Sequence, residues 1–149
     1  MLLDHGANVN ASFNALKICA INDYYHLIKL LLEYGVDVHA NNDEAFRESI
    51  HNNSVNVVKL LLENGADIHI NDNDNILYAQ SLDMIEVLVE YGSDIHLQDD
   101  QLLRQNVFNG NVETVRFLLE SGANGHVIND SLLNNVVLEM RQLLLDFGR

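Results

Sequence analysis

The sequence repeats one short motif along its length, and this repetition constrains the fold more than any other feature. Each copy has a leucine-rich run, then a glycine, then a short segment that usually ends in histidine, as in LLENGADIH at 61–69. The glycines lie 26 to 30 residues apart and are Gly6, Gly35, Gly65, Gly92, Gly122 and Gly148. A period of this length predicts stacked structural repeats rather than one closed core.

Each repeat is predicted to contain two helices. Before Gly65, the residues Val57, Val58, Leu61 and Leu62 recur at helical spacing, and glycine supplies the left-handed backbone that often ends a helix. A shorter helix is expected to precede this one, separated from it by a polar turn. An aspartate three residues before a large apolar residue is expected to cap that first helix or to lie in its first turn. These aspartates are Asp43, Asp74, Asp100 and Asp130.

Two of the repeats are shortened. Twelve residues separate Phe46 from Val58, whereas eight separate Leu77 from Ile85, and the last repeat is shortened in the same way. The four missing residues are close to one helical turn of about 3.6 residues, so the apolar side chains on either side of the deletion should still face the core. We therefore expect the stack to continue through these repeats with a shorter first helix.

Helix, tight turn, helix, glycine stop and finger, in about 30 residues, resemble the ankyrin repeat. The segment VVKLLLENGADIH at 57–69 is similar to that family's pattern throughout, and 109–113 is similar to its turn between helices. The family's Thr-Pro-Leu-His motif is missing, since the chain has no proline, and its threonine–histidine hydrogen bond cannot be carried over. The resemblance implies an all-α ankyrin-repeat solenoid of stacked helix-turn-helix units with shortened fingers.

We expect a single ankyrin-repeat array over 1–149, with about four full repeats and partial repeats at both ends. Short fingers, aspartate-led first helices and many asparagines also resemble the ankyrin families of giant DNA viruses. That resemblance implies an intracellular, cytoplasmic location, in an infected host cell.

The charge balance excludes several classes of partner. The chain has 22 acidic and 8 basic side chains and a formal net charge of −14. Nucleic-acid binding and anionic membrane surfaces both require clustered Lys and Arg, so neither is expected. A single cysteine excludes an internal disulfide and fits a reducing compartment. No signal peptide and no membrane span are expected.

Four histidines occupy the same position in successive repeats, namely His39, His69, His96 and His126. Zinc ligands must converge to about 2.0–2.1 Å from one ion, whereas equivalent positions in stacked helical repeats lie about 8–10 Å apart. We therefore interpret the row as polar finger residues. The acidic segment 71–75 lacks the glycine and glutamate of a calcium loop, and Cys19 is expected to be a small buried residue.

No catalytic or nucleotide-binding motif is present in the sequence. We therefore expect no enzymatic activity, no metal, no cofactor and no small-molecule substrate. The expected function is a non-enzymatic protein–protein interaction scaffold. Two alternatives remain: a substrate-recognition adaptor for ubiquitin ligation, although no F-box-like tail is seen, and a shortened relic of a larger ankyrin protein.

The resemblance implies binding through the fingers and the exposed side of the first helices. The stretches 36–46, 66–77, 93–103 and 123–133 contain no Lys or Arg, so this edge should be acidic and should suit a basic patch, unless its acidity serves only solubility. The candidate acidic residues are Asp43, Glu44, Asp72, Asp74, Asp99 and Asp100. The candidate first-helix residues are Ile21, Asn22, His51, Asn52, Phe108 and Asn109, of which Phe108 could anchor a partner or pack between repeats.

Overall fold

The computed structural model describes residues 9–133 and 136–147, with side chains from residue 14 onward except at 71–73, 130 and 131. The predicted partial repeat around Gly6 and the final Gly148 lie outside the described residues. The chain divides into two compact units, 1–92 and 93–149. The expectation of one continuous array stays a prediction.

The first unit consists of paired helices in two rows. Its elements are α1 (Val9–Ile21), α2 (Tyr25–Glu33), α3 (Ala40–His51), α4 (Val55–Glu63), a 3₁₀ helix (Asn71–Tyr78) and α5 (Leu82–Glu90). Helices α1, α3 and the 3₁₀ helix pack in one row, and α2, α4 and α5 pack in the other. The apolar faces of both rows are buried, and Phe46, Ile76 and Leu61 have no exposed surface. Burial of this face is the main source of helix stability, because isolated helices of 9 to 13 residues are marginal in water.

The second unit repeats this pairing. Its elements are α6 (Leu97–Asn109), α7 (Val112–Glu120), a 3₁₀ helix (Gly125–Val127), α8 (Asp130–Leu133) and α9 (Leu138–Asp146). Helix α6 packs against α7, and α7 packs against α9. Leu103, Val115 and Met140 are fully buried between these helices. The all-α, helix-turn-helix prediction is confirmed. No helix in the described part of the chain is long and apolar enough to cross a membrane.

The predicted glycine stops are confirmed. After α4, Gly65 has a φ of +94°, its N–H donates to the Leu62 carbonyl at 3.0 Å, and the Ala66 N–H donates to the Leu61 carbonyl at 3.0 Å. This pair of bonds is the Schellman arrangement that satisfies the last carbonyls of a helix. The glycines after α2, α5 and α7 also have positive φ.

The tight turns and the shortened fingers also match the sequence. Asn53 and Gly110, in the two turns between helices, have φ values of 56° and 76°. The fingers that follow the glycines form turns, and the described residues contain no strand. Three of the fingers bury a branched apolar side chain at the same position, namely Val38, Ile68 and Ile95, and are thereby fixed to the repeat.

The starts of the first helices differ from the prediction. Within the first turn of α3, Asn41, Asn42 and Asp43 have left-handed backbone conformations, with φ between 50° and 63°, and residues 98–100 in the first turn of α6 have similar conformations. The right-handed helix therefore begins only after these turns. Asp43 and Asp100 do lie in the first turns of α3 and α6, as one form of the prediction stated. The other form, in which they cap their own helices, is wrong, because their carboxylates bind groups of the next finger.

The shortened repeat of the first unit keeps its place in the stack. Its first helix is eight residues long, as expected of a shortened element, but it is a 3₁₀ helix rather than an α-helix. Eight residues is long for a 3₁₀ helix, since most such runs have about 3–4 residues. Ile76 on this helix and Met84 and Ile85 on α5 are nearly or fully buried, so the apolar face has stayed in phase.

Candidate partner-binding surface

The last turn of each first helix is exposed at the predicted positions. In the first unit, Ile21 is 42% exposed, and Asn22, His51 and Asn52 are exposed as well. In the second unit, Phe108 is 77% exposed and its neighbour Asn109 is exposed. The alternative in which Phe108 packs between repeats is therefore wrong. A phenyl ring left this open in water is a strong candidate contact for a partner.

Three finger aspartates shape the turns and also face solvent. Asp37, Asp67 and Asp94 are exposed. Each Oδ1 accepts a hydrogen bond from the backbone N–H two residues later, at 3.0, 2.9 and 2.8 Å respectively. This is the Asx turn, in which a side-chain carboxylate replaces a backbone acceptor. The Asp-x-His spacing is the signal in the sequence from which this role could have been predicted.

Asp43 is buried rather than part of an exposed acidic edge. The residue is 3% exposed, its Oδ1 accepts the backbone N–H of Asp67 in the next finger at 3.0 Å, and both its oxygens lie 3.2 Å from His39 Nδ1. An ionised carboxylate can only accept, so the imidazole donates. The carboxylate thus ties the start of one repeat to the finger of the next.

Asp100 has the same environment in the second unit. It is 5% exposed, and its Oδ1 accepts the Asn124 backbone N–H at 3.0 Å and lies 3.0 Å from His96 Nδ1. The expectation that Asp43 and Asp100 contribute charge to a binding surface is corrected. Each carboxylate lies beneath the following finger, where it accepts a backbone N–H of that finger. Without the carboxylate, this N–H would need a water molecule as its acceptor.

The pairing with Asp43 gives His39 an electrostatic role. The hydrogen bond to Asp43, together with the charges of Asp43, Asp37 and Asp67, raises the pKa of His39 above its ordinary value, while partial burial opposes the shift. Among the residues that the structure describes, no three His, Cys, Asp or Glu side chains converge closely enough to hold a metal ion.

Glu44 is engaged in an ion pair with the preceding repeat. Lys17 Nζ donates to Glu44 Oε1 at 2.7 Å, and Asn41 Nδ2 donates to Oε2 at 3.3 Å. The hydrogen bond raises the pKa of Lys17 and lowers that of Glu44. Lys17 and Glu44 are 27 residues apart, so only the stacking of α1 on α3 brings them together.

The remaining acidic candidates lie in different environments. Asp99 is exposed, whereas Asp74 is half-buried and lies beside His51 in one pocket. The side chain of Asp72 is outside the part that the structure describes. Among the finger and first-helix side chains that the structure describes, the exposed carboxylates are Asp37, Asp67, Asp94 and Asp99.

Cys19 is a core residue, as predicted. It is 4% exposed, and the equivalent positions in other repeats, Ser49 and Asn106, are also buried. Burial raises the pKa of the Cys19 thiol, which disfavours the reactive thiolate.

A comparison with family models adds to this geometry. The model described as ankyrin repeats (3 copies) matches residues 1–72 and again 49–129, so that the matches together extend over most of the chain. No curated relative matches the chain significantly. Ankyrin repeats are protein–protein interaction modules without enzymatic activity, and the all-α repeat solenoid is their fold. The paired helices, the glycine stops, the tight turns and this match together show that the chain belongs to the ankyrin-repeat family.

Proposed function

We propose that this chain is a non-enzymatic scaffold that binds a protein partner through the ends of its first helices and its finger aspartates. The exposure of Phe108 is the observation that carries the proposal. Aromatic side chains supply much of the binding energy at protein interfaces, and exposing a phenyl ring to water has an unfavourable free energy.

The charge of the fingers indicates the chemistry of the partner. Asp94 and Asp99 lie in the same unit as Phe108, and both are exposed. The stretch 93–103 contains no Lys or Arg. A partner that presents an apolar cavity beside a basic patch would match both features, and the charges would mainly increase its association rate and specificity.

The test of the anchor uses the full chain. Partners are captured from the native cell, purified, and their affinity is remeasured directly. Phe108→Ala should weaken binding by about thirtyfold, as expected for a residue whose truncation costs about 2 kcal/mol. Leu138→Ala is the matched control, since Leu138 is 82% exposed in the same unit but begins a second helix. Equal affinities for both variants, or a chain that binds no protein, would overturn the proposal.

The charge contribution needs a variant that preserves the finger. Asp94→Asn removes the negative charge but keeps a side-chain oxygen that can accept the backbone N–H of His96. We expect a lower association rate and a weaker dependence of affinity on salt, with little change in stability. An unchanged rate and salt dependence would show that the acidity of this finger serves solubility only.

The narrower resemblance to giant-virus ankyrin families is also a proposal, as is a cytoplasmic location in an infected host cell. Both are supported by the shortened fingers, which form turns, and by the aspartates Asp43 and Asp100 in the first turns of α3 and α6. Localisation of a tagged chain in the native cell would test the second.

A further inference from the structure

A small pocket in the first unit has the composition of a binding site. It has a volume of about 210 Å³ and is lined by Arg47, His51, Asp74, Asn75 and Tyr78. These residues come from α3 and the 3₁₀ helix that packs against it. Sites for drug-sized ligands usually have volumes of about 300–1,000 Å³, so this pocket suits a single side chain better than a cofactor.

The pocket contains a hydrogen-bond acceptor that is not used by the described part of the chain. Asp74 Oδ1 is buried and has no hydrogen-bond partner among the residues whose side chains are described. Buried polar atoms in proteins are nearly always paired, because an unpaired one loses its interactions with water without replacement. The missing partner must be a donor, and a cationic donor would form the strongest bond to a carboxylate.

The walls of the pocket are already held in position. His51 Nδ1 donates to the Arg47 carbonyl at 2.8 Å, and Asn75 Nδ2 donates to the Ile70 carbonyl at 2.9 Å. Gln80 Nε2 donates to the His51 carbonyl at 2.7 Å and joins α3 to the end of the 3₁₀ helix. A ligand would therefore pay little conformational entropy to organise this site.

Two rings form an aromatic wall. The His51 and Tyr78 ring centroids lie 5.0 Å apart with the planes at 42°, and Tyr78 is 51% exposed. The face of a tyrosine ring attracts cations, and planar guanidinium groups also stack on it. Asp74 thus provides an acceptor for a cation, and Tyr78, four residues later, provides a ring on which a planar cation can stack.

We propose that this pocket binds an arginine side chain of the protein partner, with its guanidinium donating to Asp74 Oδ1 and stacking on Tyr78. The inference deepens the proposed function and rests on it. Charge complementarity supports this occupant, since the chain carries a net charge of −14 and Asp37 and Asp67 are exposed in the same unit.

Arg47, on the wall of the pocket, allows a bound arginine to be distinguished from a bound acidic ligand. Its Nε donates to the Asn42 carbonyl at 3.2 Å, and its charge lowers the pKa of Glu44, so it is held near other groups of α3. Its charge would nevertheless repel a bound arginine and attract a bound carboxylate. Removing it should strengthen the binding of an arginine and weaken the binding of an acidic ligand.

The experiment titrates the full chain with short glycine peptides that are blocked at both ends and carry one central residue. The central residue is arginine, citrulline, lysine or glutamate, and binding is followed by NMR shifts of the amides of His51, Asn75 and Tyr78. The arginine peptide should saturate in the millimolar range, the lysine peptide should bind more weakly, and neither citrulline nor glutamate should saturate.

Variants test the assigned roles. Asp74→Asn should weaken arginine binding about tenfold, and Arg47→Gln should strengthen it a few-fold. Tyr78→Leu provides a second test, since it removes the ring at a half-exposed position where folding is tolerant of change. Asp83→Asn is the matched control, because Asp83 is an exposed aspartate of the same unit on α5. It should leave binding unchanged.

Several outcomes would overturn the inference: no saturable shift with arginine, preference for lysine or glutamate, or wild-type affinity in both Asp74→Asn and Tyr78→Leu. Its failure can be distinguished from failure of the proposed function. If the arginine peptide does not bind while capture of a partner still depends on Phe108, the scaffold function stands and the arginine pocket does not.

Discussion

At the scale of single residues, a buried carboxylate connects successive repeats. Asp43 accepts one hydrogen bond from the backbone of the next finger and another from His39. Asp100 likewise accepts one from the backbone of the finger that follows it and one from His96. The sequence lacks the family's Thr-Pro-Leu-His motif, and aspartate with histidine makes the hydrogen bonds at this corner. A charged acceptor is effective here because it meets two donors at once.

Asp100→Ala should lower the free energy of unfolding by about 2 kcal/mol more than Asp99→Ala does. The variant leaves the Asn124 backbone N–H without the acceptor that Asp100 provides. Asp99 is the matched control, since its φ of 57° nearly equals the 54° of Asp100 while its side chain is exposed. Both variants therefore carry the same left-handed backbone strain. Urea denaturation measures the two values, and equal losses would contradict the role assigned to Asp100.

The stability contributed by His39 should depend on pH. Because its pKa is raised in the folded state, protonation favours folding. This stabilisation is complete below the ordinary histidine pKa of about 6.5 and is lost as pH rises through the raised value. His39 is more than half exposed, so solvent screening limits the effect to a fraction of 1 kcal/mol.

NMR titration of the His39 ring measures this shift directly. The pKa should lie above about 6.5 in the wild type and fall toward that value in Asp43→Asn, which removes the charge but tolerates the left-handed backbone. In parallel, His39→Gln should destabilise the chain more at about pH 5.5 than at about pH 8.5. These two values lie on either side of the ordinary histidine pKa of about 6.5. A His39 pKa that is unaffected by Asp43→Asn would contradict the assignment.

At the scale of secondary-structure elements, similar sequences begin helices in different ways. Ser54 and Ser81 both precede second helices. The Ser81 oxygen accepts the Met84 N–H at 3.3 Å and donates to Asn53 Oδ1 at 2.8 Å, whereas Ser54 makes no side-chain capping bond. The difference follows from the backbone, since Ser81 is extended at φ −130° and ψ 156° while Ser54 is not.

Ser81→Ala should therefore destabilise the chain by about 1–2 kcal/mol, because the cap on the Met84 N–H and the hydrogen bond to Asn53 are both lost. Ser54→Ala, its matched control, should change stability by less than about 0.5 kcal/mol. Thermal and urea unfolding of the two variants measure these differences. A larger effect at Ser54 than at Ser81 would show that the capping assignment is wrong.

At the scale of the whole molecule, charge imbalance acts against compactness. The chain carries 22 acidic and 8 basic side chains, and the buried Asp43 and Asp100 are paired with donors, as is Glu44 with Lys17. Many of the other acidic groups are exposed and repel one another. The repulsion decreases with salt, since the screening length falls from about 10 Å at 0.1 M to about 3 Å at 1 M.

Raising KCl from about 0.05 to about 0.5 M should raise the Tm by about 2–4 °C, the shift expected for about 1 kcal/mol in a chain of this size. The control variant Glu63→Gln/Glu90→Gln/Glu113→Gln removes three exposed negative charges on second helices and should show a smaller rise. Calorimetry measures both. A Tm that falls with salt, or an equal rise in both proteins, would exclude repulsion among surface carboxylates as the cause.

The repeat, the helix pairs, the glycine stops, the turns with positive φ and the exposed ends of the first helices could all be predicted from the amino-acid sequence. These features depend on periodicity and on the backbone preferences of Gly and Asn, which are local properties. The same local reasoning identified Phe108 as a candidate contact, although the sequence left open whether it packs between repeats.

Which charges remain on the surface depends on how the helices and fingers pack, and it could not be predicted from the sequence. Asp43 and Asp99 look alike in the sequence, but one accepts a hydrogen bond from a residue 24 positions later and the other faces solvent. The Lys17–Glu44 pair and the pocket around Asp74 likewise form where one first helix packs on the next element. Whether a carboxylate binds a buried donor, another side chain or water depends on groups brought together by stacking, and this cannot be deduced from residue type and spacing alone.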